Sequence, residues 1–401
     1  MEDFEAQEVE FWARLSEEGM SRSQMLRRSA AAAFGLTVLA SPAAAYAARA
    51  RAAASTPMLP ASGMGLSMSE LVSQAKSEGT VNTIALPLNW ANYGAIITAF
   101  EKKYGLKVNN PAAAQEDSSA QENQAVVSLK GTSRAPDVVD DGLSFAIQGA
   151  QQGLFTPYKV SEWATIPANQ KDPGGMWTGD YWGAVSIGYN AKLVSPAPTS
   201  WKDLTNPAYK GQIFMDGSPL TANAALSGVF AAALANGGSL GNIGPGIDFF
   251  AALHKSGNFQ TAISKPIMVA SGEAPISIDW DYLNIGYGKQ YPAAQWKTVI
   301  PSDGVYGAFY AQAVSKTAPN PWAARLWEEF LYSDQGQLLW LAGYTHPIRF
   351  QNLVATKAIP SSLLNALPPA STYAKIQFAN IAQQTAGKNL VAKDWPSKIG
   401  A

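Results

Sequence analysis

The sequence predicts an α/β protein, with helices laid on the faces of a largely parallel sheet. Helix and strand signals alternate along most of the chain. Its 401 residues, 47% of them hydrophobic, suffice for two or three domains with cores of their own. Glycine (34) and proline (25) are plentiful without a repeating period, as many short connections require.

Each element follows from local signals. Ser67-x-x-Glu70 is a capping box opening a helix with Leu71, Val72 and Ala75 on one side, and Gly79 stops it. Val81–Leu86 then reads as a strand. Tyr93, Ile96, Ile97, Phe100 and Tyr104 share a helix face that ends at Gly105, before a short strand at Leu106–Val108. Val138-Val139 is an apolar strand after Pro136-Asp137. A second region starts near Tyr189, with a short helix at Trp201–Leu204, a strand at Ile213–Met215 and a small-residue helix at Ala222–Ala235. Pro245 opens a further helix from its first turn, and Pro275–Ile278 is again a strand. Val305–Val314 reads as a strand returning to the first region, and Pro321 starts an amphipathic helix carrying Trp322, Leu326, Trp327 and Phe330. Residues 355–401 read as helices packed over the first lobe.

Composition removes several functions. A net charge of -1 argues against a nucleic-acid partner, which leaves a basic stripe. With no cysteine and only His254 and His346, disulfides, thiol nucleophiles and histidine-rich metal sites are excluded. No metal, cofactor or catalytic residue is expected. An exported enzyme holding a divalent cation through Asp279 and Asp281 is the minor alternative, without a nucleophile motif or phosphate loop to support it.

Residues 1–20 are acidic and read as a solvated tail, an upstream start or a partner-binding helix. Arg27-Arg28, the apolar run Ala30–Ala40 and the small residues through Ala47 then form a secretory signal. The run of 11 residues is too short to span a bilayer, which takes roughly 20. The paired arginines point to the twin-arginine route. No stable membrane insertion is expected downstream, and the mature chain should be a periplasmic monomer.

Several motifs recur in one order: Asn89-Trp90-Ala91-Asn92-Tyr93, Pro136-Asp137-Val138-Val139, Gly153–Tyr158, Gly183–Asn190, Pro198–Leu204, Pro207–Gly211 and Leu326–Gln337. In that order and spacing the chain resembles the polyamine and ferric-ion branch of the bacterial extracellular solute-binding family, including aminophosphonate binders. The resemblance implies a type II periplasmic binding-protein fold, two α/β lobes joined by a hinge with a ligand cleft between them. It implies no catalysis, with a small-molecule solute, an ABC permease and its ATPase as partners. On this reading residues 1–54 are the extension and signal, 55–186 begin the first lobe, 187–302 form the second, and 303–401 return.

The expected ligand residues follow the strand ends, where α/β sheets bind. Trp90 and Tyr93 offer aromatic faces to a cation, and an aromatic pair there lines the cleft of polyamine-binding relatives. Trp280 and Asp281 follow a second-lobe strand, and the pair Asp140-Asp141 directly follows the Val138-Val139 strand, with Asp141 the expected contact unless the aspartates cap a helix. Ser218 leads into a helix start that suits an acid group. Tyr306 and Tyr310 lie on the return strand. The expected ligand is a small amine-bearing solute, polyamine-like. An aminophosphonate, carboxylate or ferric ion is the alternative, and a sensory receptor is the alternative role.

Overall fold

The computed structural model describes residues 66–111 and 118–400, so the acidic leader and export signal lie outside the described residues. Helix α1 (Met68–Glu78) starts on the predicted capping box: Glu70 N–H donates to Ser67 Oγ at 3.3 Å, and Ser67 N–H to Glu70 Oε2 at 2.6 Å. Strand β1 (Thr80–Asn82) is shorter than the expected Val81–Leu86, because the chain turns out of the sheet through Ala85 at φ +54°. After helix α2 (Tyr93–Tyr104), β2 (Lys107–Asn109) pairs with β1 in parallel. Helix α3 (Ser119–Ser128), β3 (Val138–Gly142), α4 (Leu143–Gln151) and β4 (Phe155–Thr156) complete this part of the first lobe.

Strand β5 (Thr178–Asn190) then carries the chain across. The second lobe holds β6 (Ile213–Met215), α5 (Asn223–Ala235), α6 (Gly244–Ser256), β7 (Phe259–Ile263), α7 (Pro266–Ser271), β8 (Ile276–Trp280), α8 (Asp281–Gln290) and β9 (Trp296–Val299). Strand β10 (Tyr306–Ser315) returns. It is followed by α9 (Pro321–Tyr332), α10 (Asp334–Ala342), β11 (His346–Pro347), α11 (Phe350–Ala355), α12 (Ser361–Leu364), β12 (Gln377–Phe378) and α13 (Ile381–Lys398).

The main sheet runs β12-β10-β5-β8-β6-β7, and it is mixed rather than largely parallel. Strands β6, β7 and β8 are parallel, whereas β5 is antiparallel to β10, β8 and β9. The reason is connectivity: the chain crosses outward on β5 and back on β10, so the two crossing strands run in opposite directions. The first half of β5 faces β10, with Thr178 opposite Gln312 and Ala184 opposite Gly307. From Val185, opposite Trp280, its partner is β8.

Helix α9 packs as its apolar spacing predicts: Trp327 and Phe330 are fully buried, their rings 5.1 and 5.6 Å from Phe100. The chain end differs from expectation. Helix α13 touches α4 of the first lobe and also α5 and α6 of the second. Trp395 meets Phe250 at 5.8 Å, and Lys398 Nζ reaches Asp248 at 2.6 Å. With 18 residues α13 is about 27 Å long, enough to lie along both lobes.

Candidate functional site

The lobes enclose a small cleft of about 110 Å³, room for a handful of waters or a compact solute. The first lobe contributes Trp90 from the loop after β1, the start of α3 from Ser118 to Glu122, Asp140 of β3 and Tyr310 of β10. Across from them stand the turn from Asp216 to Ala222, Asn223 at the start of α5, and Lys265 after β7.

The loop carrying Trp90 is strained: Ala85, Ala91 and Asn92 all have positive φ, +54°, +45° and +66°. Such backbone costs on the order of 1 kcal/mol or more per residue and persists only where contacts impose it. Here Asn92 Nδ2 donates to Leu339 O at 2.7 Å, and Trp90 Nε1 donates to Tyr181 Oη at 2.8 Å. The Trp90 ring meets Tyr310 edge-on at 5.7 Å, forming one aromatic wall.

The lobes touch. Ala120 N–H of α3 lies 3.5 Å from the Thr221 carbonyl. A Cβ on Gly142 would stand only 2.2 Å from Cβ of Asn223, although Gly142 has an ordinary φ of -56°. Glycine is needed there for clearance between lobes, not for backbone freedom. Gly142→Ala should therefore leave each lobe folded and part them, enlarging the radius of gyration in small-angle scattering. An unchanged radius would show that Asn223 gives way instead.

The cleft floor is a buried carboxylate held by donors. Tyr93 and Tyr181 each donate a hydroxyl to Asp140 Oδ2, at 2.7 and 2.9 Å. Those phenols are themselves acceptors, Tyr93 Oη from Gln312 Nε2 at 3.0 Å and Tyr181 Oη from Trp90. The hydrogen-bond chain therefore has one direction, and Asp140 Oδ2 is its final acceptor. Asp140 Oδ1 receives no hydrogen bond from an N–H or hydroxyl group. Burial raises the Asp140 carboxyl to about 6, against the lowering effect of its hydrogen-bonding neighbours. Burial, then the Asp140 charge, pushes Asp180 well above the usual carboxylate range.

The opposite wall is made for acceptors. Helix α5 begins with no side-chain cap, so its first N–H groups open toward the cleft with the positive end of the helix dipole. Asn223, 2% exposed, has no hydrogen-bond partner for either amide atom.

Of the residues expected at the ligand, Trp90, Ser218 and Tyr310 line the cleft. Tyr93 lies one layer behind, supporting Asp140. Asp141 is fully buried on the other face of β3, where Lys388 opposes the rise that burial imposes on its carboxyl. Trp280 is fully buried and donates Nε1 to Tyr310 Oη at 3.2 Å. Asp281 is fully buried, with both oxygens taken by Ala184 N–H, Tyr282 N–H and the Tyr373 hydroxyl. Asp279 receives Trp280 N–H instead, so the two carboxyls bind different groups. Tyr306 stacks on Phe230 at 4.9 Å and takes Gln384 Nε2 at 2.7 Å, behind the cleft. Among the described residues, no group of three or more His, Cys, Asp or Glu could hold a metal ion.

Sequence reasoning weighed Asp140 together with Asp141 and chose Asp141, and it missed Glu122, Asn223 and Lys265 as lining residues. Alternation could say that only one of Asp140 and Asp141 faces the cleft, but not which.

Comparison with known proteins agrees with this architecture. The sequence profile described as bacterial extracellular solute-binding protein matches residues 135–377, more than half of the chain. An uncharacterized protein of Haemophilus influenzae is 29% identical over 208 residues, 49% of this chain and 58% of that protein. The match thus spans a little over half of that relative's length. Among solved structures, the fructose-6-phosphate-bound periplasmic binding protein AfuA of Actinobacillus pleuropneumoniae is similar, with TM-score 0.62 and 20% identity over 80% of this chain and 98% of that one. AgtB of A. tumefaciens R10 with agropinic acid gives 0.63 at 16%, covering 80% and 98%. Iron-bound HitA of Pseudomonas aeruginosa gives 0.60 at 20%, covering 80% and 99%. These likenesses are of fold, that of type II periplasmic binding proteins.

Proposed function

This chain belongs to the bacterial extracellular solute-binding protein family, and on that premise we propose that it is the periplasmic receptor of an ABC importer for a small amine-bearing solute. Asp140 carries the reading: a buried carboxylate whose one oxygen is saturated by a directed hydrogen-bond chain while the other receives no N–H or hydroxyl donor. An ammonium placed there would gain charge-assisted hydrogen bonds beside the aromatic wall of Trp90 and Tyr310. The lining adds the carboxyls of Glu122 and Asp216 against one lysine, Lys265, a balance that suits a cation. Export and delivery to a permease and ATPase follow from the family and the signal-like N-terminus. No helix among the described residues is long and apolar enough to cross a membrane. The same reading keeps residues 55–186 and 303–401 as one lobe and 187–302 as the other, supported by the change of β5's partner at Val185.

A second reading adds an acid group to the same solute. The unpartnered Asn223 amide and the uncapped start of α5, beside Ser218 and Lys265, favour a carboxylate or phosphonate opposite the amine.

A thermal-shift panel of putrescine, spermidine, γ-aminobutyrate, 2-aminoethylphosphonate, simple carboxylates and ferric citrate tests both. Ligand at 100 times its Kd stabilises the bound form by about 2.7 kcal/mol. That raises the midpoint by about 5–10 °C. Shifts with amines support the reading, shifts with amino acids alone support the second, and shifts confined to carboxylates or iron overturn both.

The pH dependence has a definite sign. Asp140 must be ionised to hold an ammonium, and its carboxyl titrates at about 6. Amine affinity should be flat above pH 7 and fall by up to about tenfold per unit below pH 6. Calorimetric titration between pH 5 and 8 checks this, and affinity that rises on acidification counts against Asp140 as the contact.

A further inference from the structure

Helices α4 and α5 meet at their first turns, where Gly142 and Asn223 bring the lobes into contact. Farther in, both are overlain by α13, no residue of which lines the cleft. Two adjacent residues of α13 serve opposite lobes. Gly387 faces α5: a Cβ there would stand 2.5 Å from Cζ of Phe230 and 3.1 Å from Cδ1 of Ile243. Lys388 faces α4: its Nζ lies 3.4 Å from the centre of the Phe145 ring and donates to Gln148 Oε1. Phe230 and Gln148 stand about 10 Å along their helices from the lobe contact. A rotation that parts the first turns also shifts α4 and α5 against each other beneath α13, and one attachment must yield.

The two attachments are unequal. On the second lobe Val391 and Trp395 are buried, and the Trp395 ring meets Phe250 at 5.8 Å and Phe259 at 6.3 Å. Lys398 closes that end on Asp248 at 2.6 Å. Interlocked rings of this kind separate only by opening a void. On α4 the polar hold is one flexible side chain, Lys388, whose ammonium is readily released and remade. Gln384 reaches only Tyr306, at the start of β10 where the chain crosses back.

Resting on the two-lobed receptor reading above, we propose that α13 moves with the second lobe and that Lys388 is the clasp fastening it to the first. The balance between open and closed receptor is then set from outside the cleft.

An ammonium over an aromatic face and hydrogen-bonded to an amide carbonyl is well held. Lys388 is also the cation that bears on the fully buried Asp141 carboxyl. Opening the lobes forfeits these interactions and closing them restores them, whichever solute lies in the cleft.

The chain has no cysteine, so nitroxides at Lys130→Cys of the first lobe and Lys202→Cys of the second, both exposed, report the lobe separation alone. In ligand-free protein Lys388→Met should lengthen the separation measured by pulsed dipolar spin resonance, and Lys388→Arg should keep the wild-type value. No change in Lys388→Met overturns the clasp. Equal lengthening in both variants overturns it too, because the site would then be one of packing rather than charge. Should Lys388→Met not fold, Gln148→Cys with Lys388→Cys takes its place, joined by a bis-maleimide with a reducible linker. Cutting the linker should enlarge the radius of gyration in small-angle scattering, and a constant radius rules the clasp out. Calorimetry with putrescine adds the ligand arm: Lys388→Met should bind it about tenfold more weakly, with every cleft residue unchanged. Equal affinity would overturn the proposal. Failure of the amine reading looks different: putrescine would not bind the wild type, while the ligand-free separations of Lys388→Met and wild type still differed.

Discussion

Asp140→Asn should abolish high-affinity amine binding while leaving the fold intact. The reason lies in the direction of the hydrogen bonds. Two phenol hydroxyls converge on Oδ2, so an asparagine at this place must offer its carbonyl oxygen to them. Its NH2 is then turned to the position of Oδ1, replacing the acceptor there with a donor. An ammonium in the cleft loses both the charge and the hydrogen bond, and meets a donor instead. Removing one partner of a buried charge pair costs about 2–5 kcal/mol. In affinity that is roughly 30-fold to several thousand-fold. Stability should not fall, because an ionised buried carboxyl is replaced by a neutral group. Calorimetric titration and a melting curve on the same sample check both halves. Retained affinity would remove Asp140 from the ligand, and lost folding would make it a structural acid.

Much of the fold was legible in local signals. The capping box at Ser67, the glycine stop at Gly79 and the buried stripe of α9 need only neighbouring residues to explain them. The mixed sheet was not, because strand direction is set by two crossings whose partners lie more than a hundred residues apart, as between Thr178 and Gln312. Nor could β1 be measured from its apolar run, since the spacing of Val81, Ile84 and Leu86 gives no warning that the backbone turns left-handed at Ala85. The site was legible in part. Of the residues chosen at strand ends and on the return strand, Trp90, Ser218 and Tyr310 line the cleft. Choosing Asp141 over Asp140 was a choice of face, which depends on the register of β3 against β10, with Asp140 opposite Gln312. Asn223 offered no signal at all: its meaning comes from being left without a partner at the start of α5.

Asp281 shows why a carboxylate at a strand end can be structural, and its removal should be the most destabilising change at the lobe junction. Its Oδ1 accepts Ala184 N–H at 3.0 Å and Tyr282 N–H at 2.9 Å, and its Oδ2 accepts the Tyr373 hydroxyl at 2.6 Å. Ala184 is where β5 leaves β10, and Val185 is where it joins β8, so this carboxylate pins the crossing strand at its change of partner. Asp281→Ala strands two buried N–H groups and a buried hydroxyl, at about 1 kcal/mol or more for each. A total of about 3–5 kcal/mol should lower Tm by roughly 5–15 °C. Asp281→Asn should be milder, since its carbonyl can keep Ala184 and the Tyr373 hydroxyl can turn to accept. The two variants also separate by pH. Burial lifts the Asp281 carboxyl to about 6, above its unfolded value, so the folded state binds this proton more tightly. That contribution is greatest below about pH 4 and is lost as pH rises through about 6. The deficit of Asp281→Asn relative to wild type should therefore be larger at pH 5 than at pH 7. Equal deficits at both would mean that the carboxyl is ionised throughout, and that the strand is held by charge rather than by an acid.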